Sequence, residues 1–154
     1  MLAPLAETTV QEIVRREPVI VTQEATLEET VSAMAEAGRG SALVGSPSGE
    51  LVGIFTERDL ATRVNLADSD WGSQPVAEFM TRELITVNHD TSLAAALKLM
   101  RAHSIRSLPV VTGREPTALL SVRDILRHIA ESFPDDFLNL PPDSSLEATS
   151  MWGG

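Results

Sequence analysis

The apolar positions change period several times along the chain, and the order of those changes then recurs. Pro18 to Thr22 (PVIVT) is a short β-branched run that predicts a strand. In the next segment Leu27, Val31, Met34 and Ala35 form a helical stripe that ends at Gly38. Ser41–Gly45 (SALVG) and Glu50–Phe55 (ELVGIF) flank a turn holding Pro47 and Gly49, the signature of a hairpin, and Thr56 opens a second helix running to about Val64.

The same succession follows further on. Leu84–Val87 (LITV) predicts a strand, Ser92–His103 a helix, Ser107–Val111 and Thr117–Ser121 a hairpin, and Val122–Ser132 a closing helix. Aligning Val14–Met34 with Met80–Met100 places Leu27 on Leu93, Val31 on Leu97 and Met34 on Met100, an offset of 66. In the hairpin turn the offset drops to 65, and Gly53–Leu60 then lies on Ala118–Ile125. A length change confined to a turn is what a duplicated hairpin tolerates. Each copy reads strand, helix, strand, strand, helix. The polar, turn-rich stretch between them reads as a linker, and the aperiodic, Pro-rich segment after Phe133 reads as a mobile acidic tail whose Phe137, Leu138 and Leu140 could dock on the surface.

Composition narrows the function. The 154 residues suffice for a core without staples, and the absence of cysteine excludes disulfides, thiolate metal sites and cysteine nucleophiles. A net charge of −10 with 4% aromatic residues argues against nucleic-acid binding. The chain shows neither an apolar run of membrane-spanning length nor a signal-type N-terminus, so a cytoplasmic location is expected. His89, His103 and His128 lack metal-ligand spacing, and neither a nucleophile elbow nor a phosphate-binding P-loop occurs, so no enzyme is expected.

The segments with chemical potential are Thr56-Glu57-Arg58-Asp59 and Ser121-Val122-Arg123-Asp124, each placed where a strand gives way to a helix. A hydroxyl at the N-cap, free backbone N–H groups and the positive end of the helix dipole favour an anion, and a carboxylate one turn in can accept two bonds from vicinal ribose hydroxyls. The competing reading is a capping box, in which hydroxyl and acid satisfy each other's backbone N–H groups.

The duplicated plan, with IFTERDL closing one copy and SIRSLPVV followed by LLSVRDIL in the other, resembles a tandem cystathionine-β-synthase-type (CBS) domain pair over about Thr8 to Glu131. The resemblance implies an α/β (α+β) fold in which two β-α-β-β-α repeats pack as one pseudo-twofold module with adenosine-nucleotide clefts between them. The repeats would span residues 8–66 and 75–132, with a linker over 67–74 and a tail over 133–154. Carried over residue by residue, it implies phosphate contacts from Thr56 and Ser121, ribose contacts from Asp59 and Asp124, and further phosphate contacts from Arg106 and Ser107. Ile20, Thr22, Thr86 and Val87 would meet adenine, with strand core as the alternative for all four and the favoured one for Ile20 and Val87.

The copies are unequal. Gly40 stands where the second copy has Arg106, whereas Gly53, open to close backbone approach, becomes Ala118. Because charge-assisted bonds are stronger than neutral ones, the second copy is expected to suit a phosphorylated ligand better.

The function implied is a regulatory module that senses AMP, ADP, ATP, S-adenosylmethionine or NAD, requires no cofactor and modulates a partner protein. A constitutive dimerisation or scaffold module with degenerate clefts is the alternative. A homodimer is expected through an apolar helical face drawn from Val10, Ile13, Val14, Phe79, Ile125, Leu126 and Ile129.

Overall fold

The computed structural model describes residues 2–15 and 17–132. The proposed tail, including Phe137, Leu138 and Leu140, lies outside the described residues. Two short helices, α1 (Leu2–Glu7) and α2 (Val10–Ile13), come before the first strand of the first repeat. That repeat comprises β1 (Ile20–Thr22), α3 (Leu27–Ala37), β2 (Ser41–Gly45), β3 (Leu51–Thr56) and α4 (Glu57–Arg63). The second contains α5 (Leu93–His103), β4 (Ser107–Thr112), β5 (Glu115–Ser121) and α6 (Val122–Ser132).

Local chemistry explains the helix ends. Thr26 accepts the Glu29 N–H while Glu29 reaches back to the Thr26 N–H, closing a capping box at the start of α3. The helix stops where Gly38 turns left-handed at φ 64°. In α5 the same places are held by Ser92, which caps through the Ala95 N–H, and by Ser104, a non-glycine residue at φ 52°. Leu27 and Met34, and correspondingly Leu93 and Met100, point inward as the stripe requires.

In the first repeat β1 runs parallel to β2, with Val21 opposite Val44, and β2 pairs antiparallel with β3. The second repeat departs from expectation. Leu84–Val87 does not form a strand; one parallel bridge remains, between Val87 and Val110, at the position that corresponds to Val21 and Val44. The cause lies in the neighbouring strand. In the first repeat the Leu43 N–H donates to the Val19 carbonyl at 2.8 Å, whereas the residue equivalent to Leu43 is Pro109, which has no N–H to give. Val87 therefore holds the ladder alone, donating to the Pro109 carbonyl at 3.0 Å and accepting from the Val111 N–H at 2.9 Å.

The two repeats are joined by exchanged segments. The Leu93 N–H donates to the Thr8 carbonyl at 2.9 Å and the Val10 N–H to that of Thr91 at 2.8 Å. One offset of 66 later, the Leu27 N–H donates to the Gln74 carbonyl at 2.8 Å and the Val76 N–H to that of Ala25 at 2.9 Å. The chain entering each repeat thus completes the other. Leu5, Val10 and Ile13 are buried in the core built by Leu93, Met100, Leu108, Val110, Leu120 and Ile125. Val76 and Met80 are buried with Leu27, Met34, Ala42, Val44 and Phe55.

This exchange corrects the expected dimer face. Val10, Ile13 and Ile125 are core residues, since burying them within one chain removes their apolar surface from water without a second copy. Leu126 stays exposed at 59%, and Val14, Phe79 and Ile129 are half-buried. The linker is also more structured than its composition suggests. Trp71 packs against the first core, and Gly72 lies beneath Glu28 of α3, where a Cβ would come within 3.1 Å of the glutamate's own Cβ.

Candidate functional site

The starts of α4 and α6 have the same construction. At α4 the Asp59 carboxylate accepts from the Thr56 N–H at 3.0 Å and hydroxyl at 3.1 Å, while the Thr56 hydroxyl accepts the Asp59 N–H at 3.2 Å. At α6 the Asp124 carboxylate accepts from the Ser121 N–H at 2.9 Å and hydroxyl at 3.0 Å, and the Asp124 N–H returns a bond of 3.2 Å. The second carboxylate oxygen faces an arginine in each, Arg63 at 3.5 Å from Asp59 and Arg127 at 3.4 Å from Asp124. Both closed capping boxes are therefore present. Each acid still has lone pairs to offer, because two carboxylate oxygens provide about four acceptor positions. The Asp124 side chain is 18% exposed and that of Asp59 10%.

The hairpin brings further residues to these helix starts. Ser107 lies opposite Ser121 across the β4–β5 ladder, and the Val122 N–H donates to the Arg106 carbonyl at 2.9 Å. Arg106, Ser107, Ser121 and Asp124 accordingly occupy one end of the second hairpin, with the Arg106 side chain exposed. In the first repeat Ser41 lies opposite Thr56, and the Glu57 N–H donates to the Gly40 carbonyl at 3.0 Å.

The strand-end residues are not gathered there. Thr22 pairs with Gly45, at the far end of β2 from Ser41, which at about 3.3 Å per residue separates it by roughly 13 Å from the Thr56 end. Ile20 is not strand core, being 49% exposed, and Thr22 is exposed as well. Val87 is core at 5% exposure, with both backbone groups spent in the bridge to β4, and Thr86 is exposed. Thr86 and Val87 border an open cleft of about 300 Å³ with Asn88, Thr91, Leu99, Val111 and Gly113.

Two contacts were not anticipated from the sequence. Gly53 is not open to a ligand, because the Met80 side chain fills the space beside it: a Cβ at position 53 would lie 2.8 Å from Met80 Cγ and closer to the sulfur. The Glu57 carboxyl covers Gly40, 3.2 Å from where a Cβ would stand. The repeat alignment carried a signal for each, since Gly53–Met80 corresponds to Ala118–Val14 and Gly40–Glu57 to Arg106–Val122, with size or charge exchanged between the partners. Among the described residues no group of three or more His, Asp or Glu side chains is placed to hold a metal ion, and no helix is long and apolar enough to cross a membrane.

The sequence profile of the CBS domain matches residues 10–65 and 76–131. The chain belongs to the CBS domain family. The CBS domain-containing protein YhcV of Bacillus subtilis is 35% identical over 100 residues, covering 65% of this chain and 70% of that protein. The CBS domain of a membrane protein from Sphaerobacter thermophilus superposes with a TM-score of 0.72 at 25% identity, covering 81% of this chain and 90% of that one. The CBS domain pair of protein MJ0100, solved with 5′-methylthioadenosine and S-adenosyl-L-methionine, gives a TM-score of 0.72 at 25% identity, covering 81% and 98% of the two chains. This CBS pair is an α+β module of the kind known for regulatory ligand binding.

Proposed function

We propose that this CBS pair is a non-catalytic regulatory module that binds an adenosine-containing ligand, drawn from AMP, ADP, ATP, S-adenosylmethionine and NAD, and passes its occupancy to a partner protein. The observation that carries this reading is the end of the second hairpin. There Arg106, with an exposed side chain, Ser107 and Ser121, paired across the ladder, and the partly exposed Asp124 lie at one end of the hairpin beside the start of α6, a donor and acceptor set suited to a phosphorylated ribose. The complex of MJ0100 with two adenosine compounds supports the ligand class.

In this reading Ser121, Arg106 and Ser107 hold phosphate and Asp124 holds ribose, while in the first repeat Asp59 holds ribose and Thr56 stands beside the ligand's 5′ group. Of the strand residues, the exposed Ile20 and Thr86 are free to meet the base, while Thr22, also exposed, stands at the far end of β2 from Thr56. A ligand touching both repeats shifts their relative orientation by no more than its differential affinity for the two arrangements. Self-association through the exposed Leu126 and half-buried Ile129 of α6 is one route by which that shift could be read.

A thermal-shift panel of the five ligands tests the proposal, since a compound bound only to the folded state raises the melting temperature by mass action. A rise of several degrees with at least one of them is expected, and no rise at millimolar concentration would overturn it. The scaffold reading is favoured by one specific observation, the two closed capping boxes, which give both aspartates a structural task without any ligand. It predicts a flat panel.

A further inference from the structure

Two positions face each other beside each helix start, joined by the same backbone bond: Gly40 with Glu57 at 3.0 Å in the first repeat, Arg106 with Val122 at 2.9 Å in the second. What they carry is inverted. In the first repeat the smaller residue is on the strand side, and the Glu57 carboxyl folds over it into the space a side chain at position 40 would need. In the second repeat the strand side bears a guanidinium, while Val122 packs against the core and brings no charge.

Other charged groups do not cancel the difference. Arg58 has its counterpart in Arg123, and Asp59 in Asp124, so each contributes alike to both sites. Arg39, beside Gly40, has its guanidinium held on the Glu17 carbonyl at 3.0 Å. Arg63 pairs with Asp59 as Arg127 does with Asp124. What remains is a carboxylate in one repeat where the other offers a guanidinium.

Building on the adenosine reading above, we infer that Glu57 is a specificity determinant which makes the first cleft refuse phosphate, reserving it for adenosine compounds with an uncharged or cationic 5′ group, while Arg106 directs phosphorylated ligands to the second. The physical cause is repulsion between the Glu57 carboxylate and a phosphate dianion, in a place where the strand supplies no side chain to offset it.

The test is calorimetry of the whole chain with adenosine and with AMP, on the wild type, Glu57→Gln, Arg106→Gln and the double variant. Glu57 is exposed and makes no side-chain hydrogen bond or ion pair among the described residues, so Glu57→Gln is expected to fold normally. With the second cleft weakened by Arg106→Gln, adding Glu57→Gln should strengthen AMP binding about fivefold, the effect of one solvent-screened charge pair, and leave adenosine binding within about twofold. Unchanged AMP affinity, or an equal gain for adenosine, would overturn the assignment of Glu57 while leaving the adenosine reading intact. Absence of binding by both compounds in all four proteins would also overturn the assignment of Glu57 and Arg106, whereas the adenosine reading itself falls only with a flat panel of the five ligands.

Discussion

Replacing Gly53 by alanine should be costly in the first repeat although alanine is the native residue at the equivalent place in the second. The added methyl would stand 2.8 Å from Met80 Cγ and nearer still to the sulfur, where carbon contacts normally begin at about 3.5 Å. Met80 is 4% exposed and packed among Val44, Phe55 and Val76, so it must shift by most of an ångström within a filled core. Overpacking of that kind costs about 1–3 kcal/mol, and we expect roughly 2 kcal/mol for Gly53→Ala.

Met80→Val alone should cost about 1–2 kcal/mol by shortening a buried side chain. Together the two changes recreate the Ala118–Val14 combination of the second core, with the alanine methyl occupying volume the shorter side chain vacates. The double variant should therefore be more stable than the sum of the single ones by about 1–2 kcal/mol. Urea unfolding followed by the fluorescence of Trp71, which packs against this core, measures all four corners at constant m-value. Additive costs, or a Gly53→Ala change within about 0.5 kcal/mol, would refute the claim that Met80 and not open space lies beside Gly53.

Asp124→Asn and Asp59→Asn should each lower stability by about 1–2 kcal/mol, because charge-assisted cap bonds become neutral ones; calorimetry on the same variants should show a larger loss of AMP affinity for Asp124→Asn, and undiminished affinity in both would defeat the ribose assignment. Ser104→Gly should stabilise the chain by roughly 0.5–1 kcal/mol, since relief of a left-handed serine outweighs the added freedom of the unfolded glycine; a lower urea midpoint would contradict this. The backbone N–H and then the hydroxyl of Thr9 hold the Glu12 carboxyl below its ordinary value of 4.5, with a smaller contribution from His128. The stabilisation is thus complete above about pH 4.5 and is lost as pH falls through the lower folded value, so Glu12→Gln should flatten the acid limb of the stability profile. Leu126→Glu should dissociate any dimer seen by sedimentation of the wild type, and an unchanged mass would move the interface off α6.

The features legible in the sequence were those specified by near neighbours. Stripe spacing and the stop at Gly38 marked the helices, the turn residues set the hairpins, and the duplication itself announced two similar units. The [ST]-x-x-D segments also declared the two possible uses of their acids, because a capping box and a ribose acceptor call for the same residues at the same spacing.

What the sequence left open depended on residues far apart in the chain. Leu84–Val87 has the composition of a strand, yet whether it pairs was decided by Pro109, more than twenty residues away, at the one ladder position that needed a donor. Val10 and Ile13 look like an exposed apolar face until the chain is seen to cross and fill the core of the other repeat. The space beside Gly53 and above Gly40 could not be read from the glycines, because its occupants, Met80 and Glu57, come from elsewhere in the fold. Periodicity states which side of an element is apolar; which distant side chain covers that side, or fills a gap in it, is settled by packing at close to crystalline density, and only the tertiary structure contains that information.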